Sequence, residues 1–271
     1  MFSFKNLITL ISLLLYQLAL SAQETDDIKI TNSSYQSGEQ VTYLISYTWF
    51  FLWTDVGEVT FKVTSDVWEG KDVLHLKCSG NTYPFYDWFF KVRDLYESWI
   101  DPNTQQPLHF NRAIYEGGYT KENEYKFDWS TNQVLIRIKR KNDPNKFDTL
   151  KVEKNTYDVI SAIYAARNLN YSNIKLGNIF PVTIIFDKEI YKIGFKFLGK
   201  EEKRIDGIGR LNCLKFQVDL VVGDVFSGNQ KLYVWVTDDL NHVPVFIESP
   251  IKVGSIKARV IKWKGLFNSL N

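Results

Sequence analysis

Carboxylates, imidazoles and thiols are the groups in this 271-residue chain that could do chemistry, and their spacing matches no catalytic signature. His75, His109 and His242 lie far apart, without the short spacings of a metal site. No Gly-x-Ser-x-Gly elbow, Walker loop, His-Glu-x-x-His run or Cys-x-x-Cys pair occurs. Two carboxylate pairs, Asp87 with Glu97 and Asp94 with Glu116, would suit glycoside hydrolysis if one cleft held both members. No catalytic residue, metal ligand or cofactor is assigned, and non-enzymatic binding is the expected class of function.

Two aromatic runs carry the candidate binding residues. One is Tyr47-Thr-Trp49-Phe50-Phe51-Leu52-Trp53; the other extends from Tyr83 to Asp94. Trp49, Phe51, Trp53, Tyr83, Phe85, Trp88 and Phe89 could wall a site for a hydrophobic ligand or partner. Asp87, Lys91, Arg93 and Asp94 would rim that site or pair with one another. Apolar bulk at consecutive positions has a plainer reading, a strand buried on both faces or a loop plugging a barrel end. Stacking on a sugar ring is a further use of such rings.

The elements that must position these residues are mostly strands. Val59, Phe61 and Val63 alternate with polar residues, as do Tyr125, Phe127 and Trp129, then Val134, Ile136 and Ile138. Cys78 shares a face with Leu74 and Leu76, whereas Cys213 lies opposite Leu214, Phe216 and Val218. The two sulfurs would then point to different sides, which favours two inert thiols; a disulfide is the alternative. Val159, Ile160, Ile163, Tyr164 and Arg167 instead follow helical spacing, and a helix is expected over about 156–168. Asn155 or Thr156 could cap it, with Asp158 in its first turn.

The β-rich halves on either side share a pattern. A strand holding Trp99 leads through a turn to Pro107, Ile114 and Gly117; a strand holding Trp235 leads to Pro244, Ile251 and Gly254. Pro opens the return strand in both, where a missing donor is tolerated. The halves span about 35–150 and 175–265.

Composition bounds the function. The chain is 45% hydrophobic and 15% aromatic, which excludes a disordered or collagen-like chain. Lys and Arg number 33 against 31 Asp and Glu, a net charge of +2, so no nucleic-acid partner is expected. Residues 1–22 read as a secretory signal peptide, with Lys5, an apolar core from Leu7 to Leu20, and small residues at Ser21 and Ala22. The remaining domain, 23–266, would be exported to the periplasm or secreted, with a short tail at 267–271. No later segment is long and apolar enough for a membrane-spanning helix, so no integral span is expected after signal removal.

Gly57-Glu58, the run 83–94, Tyr96-Glu-Ser-Trp-Ile-Asp-Pro102, Tyr115-Glu-Gly-Gly-Tyr119, the helix 158–168 and Gly254-Ser255 together resemble the domain-of-unknown-function 3108 family, in its Bacteroidota form. The likeness covers about residues 35–266. It implies an exported bacterial protein without an established activity, and it brings no catalytic residues. The Trp, turn, Pro unit has a weaker architectural resemblance to periplasmic lipoprotein-carrier and lipoprotein-receptor proteins. That resemblance implies an unclosed β-barrel around an apolar cavity with helix cover.

The expectation is a mainly β protein, with antiparallel curved sheets or an unclosed barrel built from two similar halves and one central helix. It would bind a hydrophobic small molecule such as an acyl chain or lipid, or an apolar segment of an envelope protein. The alternatives are a structural or interaction module of the envelope, and a carbohydrate-binding or carbohydrate-active protein.

Overall fold

The computed structural model describes residues 34–49, 52–141, 143–219, 231–250 and 255–269, with the backbone alone at Trp49, Leu52, Phe89, Asp219 and Pro250. The expected signal peptide, 1–22, lies outside the described residues, as does Phe51. Strands follow the alternating segments closely. The first run is β1 (Gln40–Trp49), β2 (Leu52–Trp68), β3 (Lys71–Thr82), β4 (Arg93–Ile100), β5 (Pro107–Glu116), β6 (Tyr119–Asp128), β7 (Gln133–Arg140) and β8 (Lys146–Lys151). The second is β9 (Thr156–Tyr157), β10 (Ile179–Phe186), β11 (Glu189–Ile205), β12 (Gly209–Asp219), β13 (Lys231–Thr237), β14 (Pro244–Pro250) and β15 (Ser255–Lys264). Along β6, Lys121, Asn123, Tyr125 and Phe127 are buried while the residues between them are less so, because successive side chains leave opposite faces.

All these strands form one 15-stranded sheet in the order β8 to β1, then β15 down to β9. Strands β1 and β15 join the two runs antiparallel, through pairs such as Ile45 with Ala258. The β9–β10 contact is parallel. A flat sheet of this size would hold its edges about 67 Å apart at roughly 4.8 Å per strand. Yet the edges, β8 and β9, are joined by the short link from Lys151 to Thr156, which reaches at most about 18 Å. The sheet must therefore curl until its edges nearly meet, which makes it an unclosed barrel. Ion pairs from the β10–β11 turn cross that seam: Lys188 to Asp148 at 2.9 Å, and Asp187 to Lys121 at 2.5 Å.

The turn pattern shared by the halves has a structural counterpart. Register shifts by a residue between Trp99 and Ile100, and again between Trp235 and Val236. Ile100 then pairs with Pro107, and Val236 with Pro244.

Two helices depart from the sequence expectation in detail. The run beginning at Tyr83 is neither a strand nor a loop but helix α1 (Pro84–Phe90), opened by proline at its start. The expected central helix is α2 (Val159–Arg167), and its cap is Asp158 rather than Asn155 or Thr156. Asp158 Oδ1 accepts the backbone N–H groups of Ile160 and Ser161, and Oδ2 accepts the Ser98 hydroxyl at 2.6 Å. Thr156 is instead drawn into β9.

Helix α2 partitions the interior. Ile160 and Tyr164 pack into a core with Val63, Leu76, Ile100, Phe110 and Ile136 of the first run. Ala162 and Ala165 pack on Val182 and Ile184 of β10. Ile163 and Ala166, one turn apart on a third side, face open space.

Candidate functional site

That space is an apolar cavity of about 380 Å³. Strands from both ends of the chain wall it, with Val41, Tyr43 and Ile45 from β1, Val59 and Phe61 from β2, and Phe195 from β11. Phe216 and Val218 of β12, Leu232, Val234 and Val236 of β13, Ile247 of β14 and Ala258 of β15 complete it. Each strand contributes alternate residues, as the inner face of a curled sheet requires. Along β13 the lining runs from Leu232 to Val236, a depth of roughly 13 Å.

One end is sealed by a buried ion pair. Arg167 Nη1 donates to Glu39 Oε1 at 2.6 Å, and Nη2 donates to Oε2 at 2.9 Å. Nη2 also donates to the Ser34 carbonyl and Nε to that of Asn241. Burial alone would push the guanidinium pKa down, but the hydrogen bonds and charge of Glu39 outweigh it, and the pKa is raised. Three more polar groups at this end have partners inside the protein. Tyr43 donates to the Pro244 carbonyl at 2.8 Å, and Tyr171 to that of Ala166 at 2.7 Å. His242 Nδ1 lies 2.7 Å from the Arg167 carbonyl. Burial lowers the His242 pKa, which keeps the ring neutral. With the Arg167–Glu39 charges paired and the Tyr43 and Tyr171 hydroxyls engaged, the closed end suits apolar chemistry.

At the other end the lining residues Val218, Leu232, Ile247 and Ala258 stand close to where β12, β13, β14 and β15 meet their connections.

Of the aromatic residues singled out from the sequence, Trp53, Tyr83, Phe85 and Trp88 have described side chains, and these four are not part of this lining. Trp53, Phe85 and Trp88 stand on the surface, 55%, 72% and 81% exposed. Tyr83 is partly buried and its hydroxyl donates to Glu58 at 2.9 Å. The charged candidates cluster beneath α1. Asp87 accepts from Arg93 and from the Thr82 hydroxyl, and Arg93 holds its carboxyl below the usual range. Lys91 lies 5.9 Å from the Tyr115 ring centre. Asp94 accepts the Tyr115 backbone N–H. Burial, with Glu116 hydrogen-bonded beside it, pushes the Asp94 carboxyl up to about 6. Two carboxyls in contact stand closer than the roughly 5 Å of a retaining glycosidase pair.

The histidines meet in an unforeseen way. His75 and His109 sit on neighbouring sides of Trp99 in the sheet, His75 stacked on Trp99 at 4.4 Å and His109 on Trp68 at 4.2 Å. Burial lowers both imidazole pKa values. Among the described residues no group of three or more His, Cys, Asp or Glu could hold a metal ion. Both cysteines are free and buried in different clusters, and burial pushes each thiol up to about 12.

Sequence reasoning reached the strands that wall the cavity but placed the ligand wall on the two aromatic runs. The usable signal was the small or β-branched set facing it, such as Val41, Val59, Val234, Ala166 and Ala258.

Comparisons with known proteins bear on the fold and the family. A β-barrel-like protein of domain of unknown function DUF1849 from Brucella abortus superposes with a TM-score of 0.53 at 7% identity. The match covers 83% of this chain and 96% of that one, and it concerns the fold alone. An inferred lipoprotein from Parabacteroides distasonis gives a TM-score of 0.36 at 11% identity, covering 88% of this chain and 100% of that one. Comparison with curated proteins gives no match. Residues 42–261 match the family model for the protein of unknown function DUF3108, so the chain belongs to the DUF3108 family.

Proposed function

We propose that this is an exported envelope protein that holds one acyl chain, or a similar apolar chain, inside its unclosed barrel without chemically altering it. The observation that carries this reading is the cavity of about 380 Å³ with its almost wholly apolar lining. An apolar cavity of about 150 Å³ takes one benzene, so this volume scales to a chain on the order of 15 carbons. Each methylene moved from water into such a site contributes about 0.8 kcal/mol. The sealed end, where Arg167, Glu39, Tyr43 and Tyr171 already have partners, suits the methyl terminus. A polar head would lie toward Leu232 and Ile247, near the strand ends.

No helix among the described residues is long and apolar enough to cross a membrane, which is compatible with release after export. Export itself rests on the signal-like residues 1–22.

The reading is tested by titrating the protein, delipidated under native conditions, with a fluorescent long-chain fatty acid. Saturable binding at one site per chain, displaced by unlabelled fatty acid but not by a short one, is expected. Absence of saturable binding across chain lengths, together with no lipid in organic extracts of the native protein, would sink it.

A further inference from the structure

Helix α1 turns its polar and anchored side inward and its apolar side out, the reverse of a usual surface helix. Tyr86 is hydrogen-bonded to Thr54, Asp87 is paired with Arg93, and the Phe90 ring fills the place a side chain would take at Gly117. These contacts lie at helical spacing and fix the helix on the sheet. Phe85 and Trp88, one turn apart on the other side, are exposed. Trp53, Phe90, Tyr115 and Tyr119 are exposed at the same end of the sheet. Folding does not need such a concentration of exposed rings, and a patch of this kind marks an interaction surface.

The position of the patch says what covers it. Thr82, just before α1, shares one row of the sheet with Gly57, Ile45, Ala258 and Ile247 through successive strand pairs. Three members of that row, Ile45, Ala258 and Ile247, line the outer part of the apolar cavity. The row spans four strand spacings, about 19 Å before curling. The exposed rings and the end of the cavity away from the Arg167–Glu39 pair thus lie on the same side of the barrel.

Charge agrees in part. Lys91, Arg140, Lys141 and Lys146 lie at this end and enter no ion pair among the described residues. Several carboxylates nearby are engaged: Asp87 with Arg93, Asp187 with Lys121, and Asp94 with Glu116. Asp143 in the β7–β8 turn, Asp55 and Glu58 of β2, Glu116 of β5 and Glu189 of β11 lie at the same end without ion pairs among the described residues, so the cations there are interspersed with carboxylates.

We infer that the α1 end of the barrel docks on a phospholipid bilayer. The aromatic rings enter the headgroup layer, where Trp and Tyr combine an apolar body with a polar tip. The four cations meet lipid phosphates. A bilayer is also the source of an acyl chain, and that part of the argument rests on the cavity reading above; the exposed rings and the cations do not.

The test is flotation of the signal-free chain with vesicles of phosphatidylethanolamine and phosphatidylglycerol. Wild type is expected to float with the vesicles, with a blue shift in tryptophan emission. The double variant Phe85→Ser, Trp88→Ser should lose binding by about tenfold or more, equivalent to about 1.4 kcal/mol. Leu176→Ser, an exposed apolar residue beside the opposite strand ends, should bind as wild type does. The double variant should retain fatty-acid binding in solution, which shows that it folds. Wild type that stays with the soluble fraction, or a double variant that floats like wild type, overturns the inference. So does sedimentation showing a dimer that the double variant dissolves while neither protein floats, because a second copy then covers the patch. Loss of fatty-acid binding with flotation intact would instead remove the cavity reading and leave docking standing.

Discussion

Arg167 and Glu39, 128 residues apart in sequence, meet in a bidentate pair that closes one end of the apolar cavity. Their side chains are 5% and 1% exposed, so the pair stands in a low-dielectric setting, with Nε and a second N–H of Nη2 also engaged by backbone carbonyls. It ties the end of α2 to the residues that precede β1. Breaking such a pair from one side leaves a buried charge without compensation. Arg167→Met and Glu39→Gln are each expected to lower unfolding stability by about 3–5 kcal/mol in urea titrations. The double variant Glu39→Leu, Arg167→Met should recover much of that loss. Single variants within about 1 kcal/mol of wild type would show that the pair is not a structural closure.

Filling the cavity should block the ligand without unfolding the barrel. Ala166 on α2 and Ala258 on β15 both face the space. Ala166→Phe and Ala258→Phe are each expected to weaken fatty-acid binding by about tenfold or more, equivalent to about 1.4 kcal/mol. Overpacking should cost about 1–3 kcal/mol of stability at most. Unchanged affinity in both variants would place the ligand elsewhere.

The Asp94–Glu116 contact predicts a sign for pH dependence. The Asp94 carboxyl titrates near 6 in the fold against an ordinary value of 3.8. Between these values the folded chain binds more protons than the unfolded one. The contribution of Asp94 to stability is therefore present below about pH 4 and is lost as pH rises through about 6. Asp94→Asn should be more stable than wild type near neutral pH, with the advantage shrinking on acidification. The buried histidines His75, His109 and His242 run the other way, since their lowered pKa values make acid destabilising. The difference between variant and wild-type urea midpoints across pH cancels that background. An advantage that grows toward acid would contradict the assignment.

Both thiols should be silent in the folded protein. Cys78 and Cys213 are buried, free and raised to about 12 by burial. A thiol reagent at mildly alkaline pH is expected to modify neither cysteine in the native chain and both in denaturant. Rapid native reaction at either one, or no free thiol after unfolding, would show that the pocket around that sulfur is wrongly understood.

What the sequence by itself determined was local and periodic. Val134, Ile136 and Ile138 announce a one-sided strand, and Ile160, Ile163, Tyr164 and Arg167 announce a helix, because side-chain direction follows backbone period. The shared Trp, turn, Pro unit was legible for the same reason, and both copies carry a register shift after the Trp. Only the tertiary structure decided the rest. In the run from Tyr83 nearly every position up to Phe90 is apolar, so no period separates helix from strand; Thr54, Glu58 and Gly117, all outside the run, settle it together with Arg93 near its end. The cavity is the clearest case. Val41, Val59, Phe216 and Ile247 carry the same alternation as filled core. Empty volume is a difference between what a curled sheet encloses and what its side chains and α2 fill. That difference is set by how distant strands close on one another, and no local pattern records it.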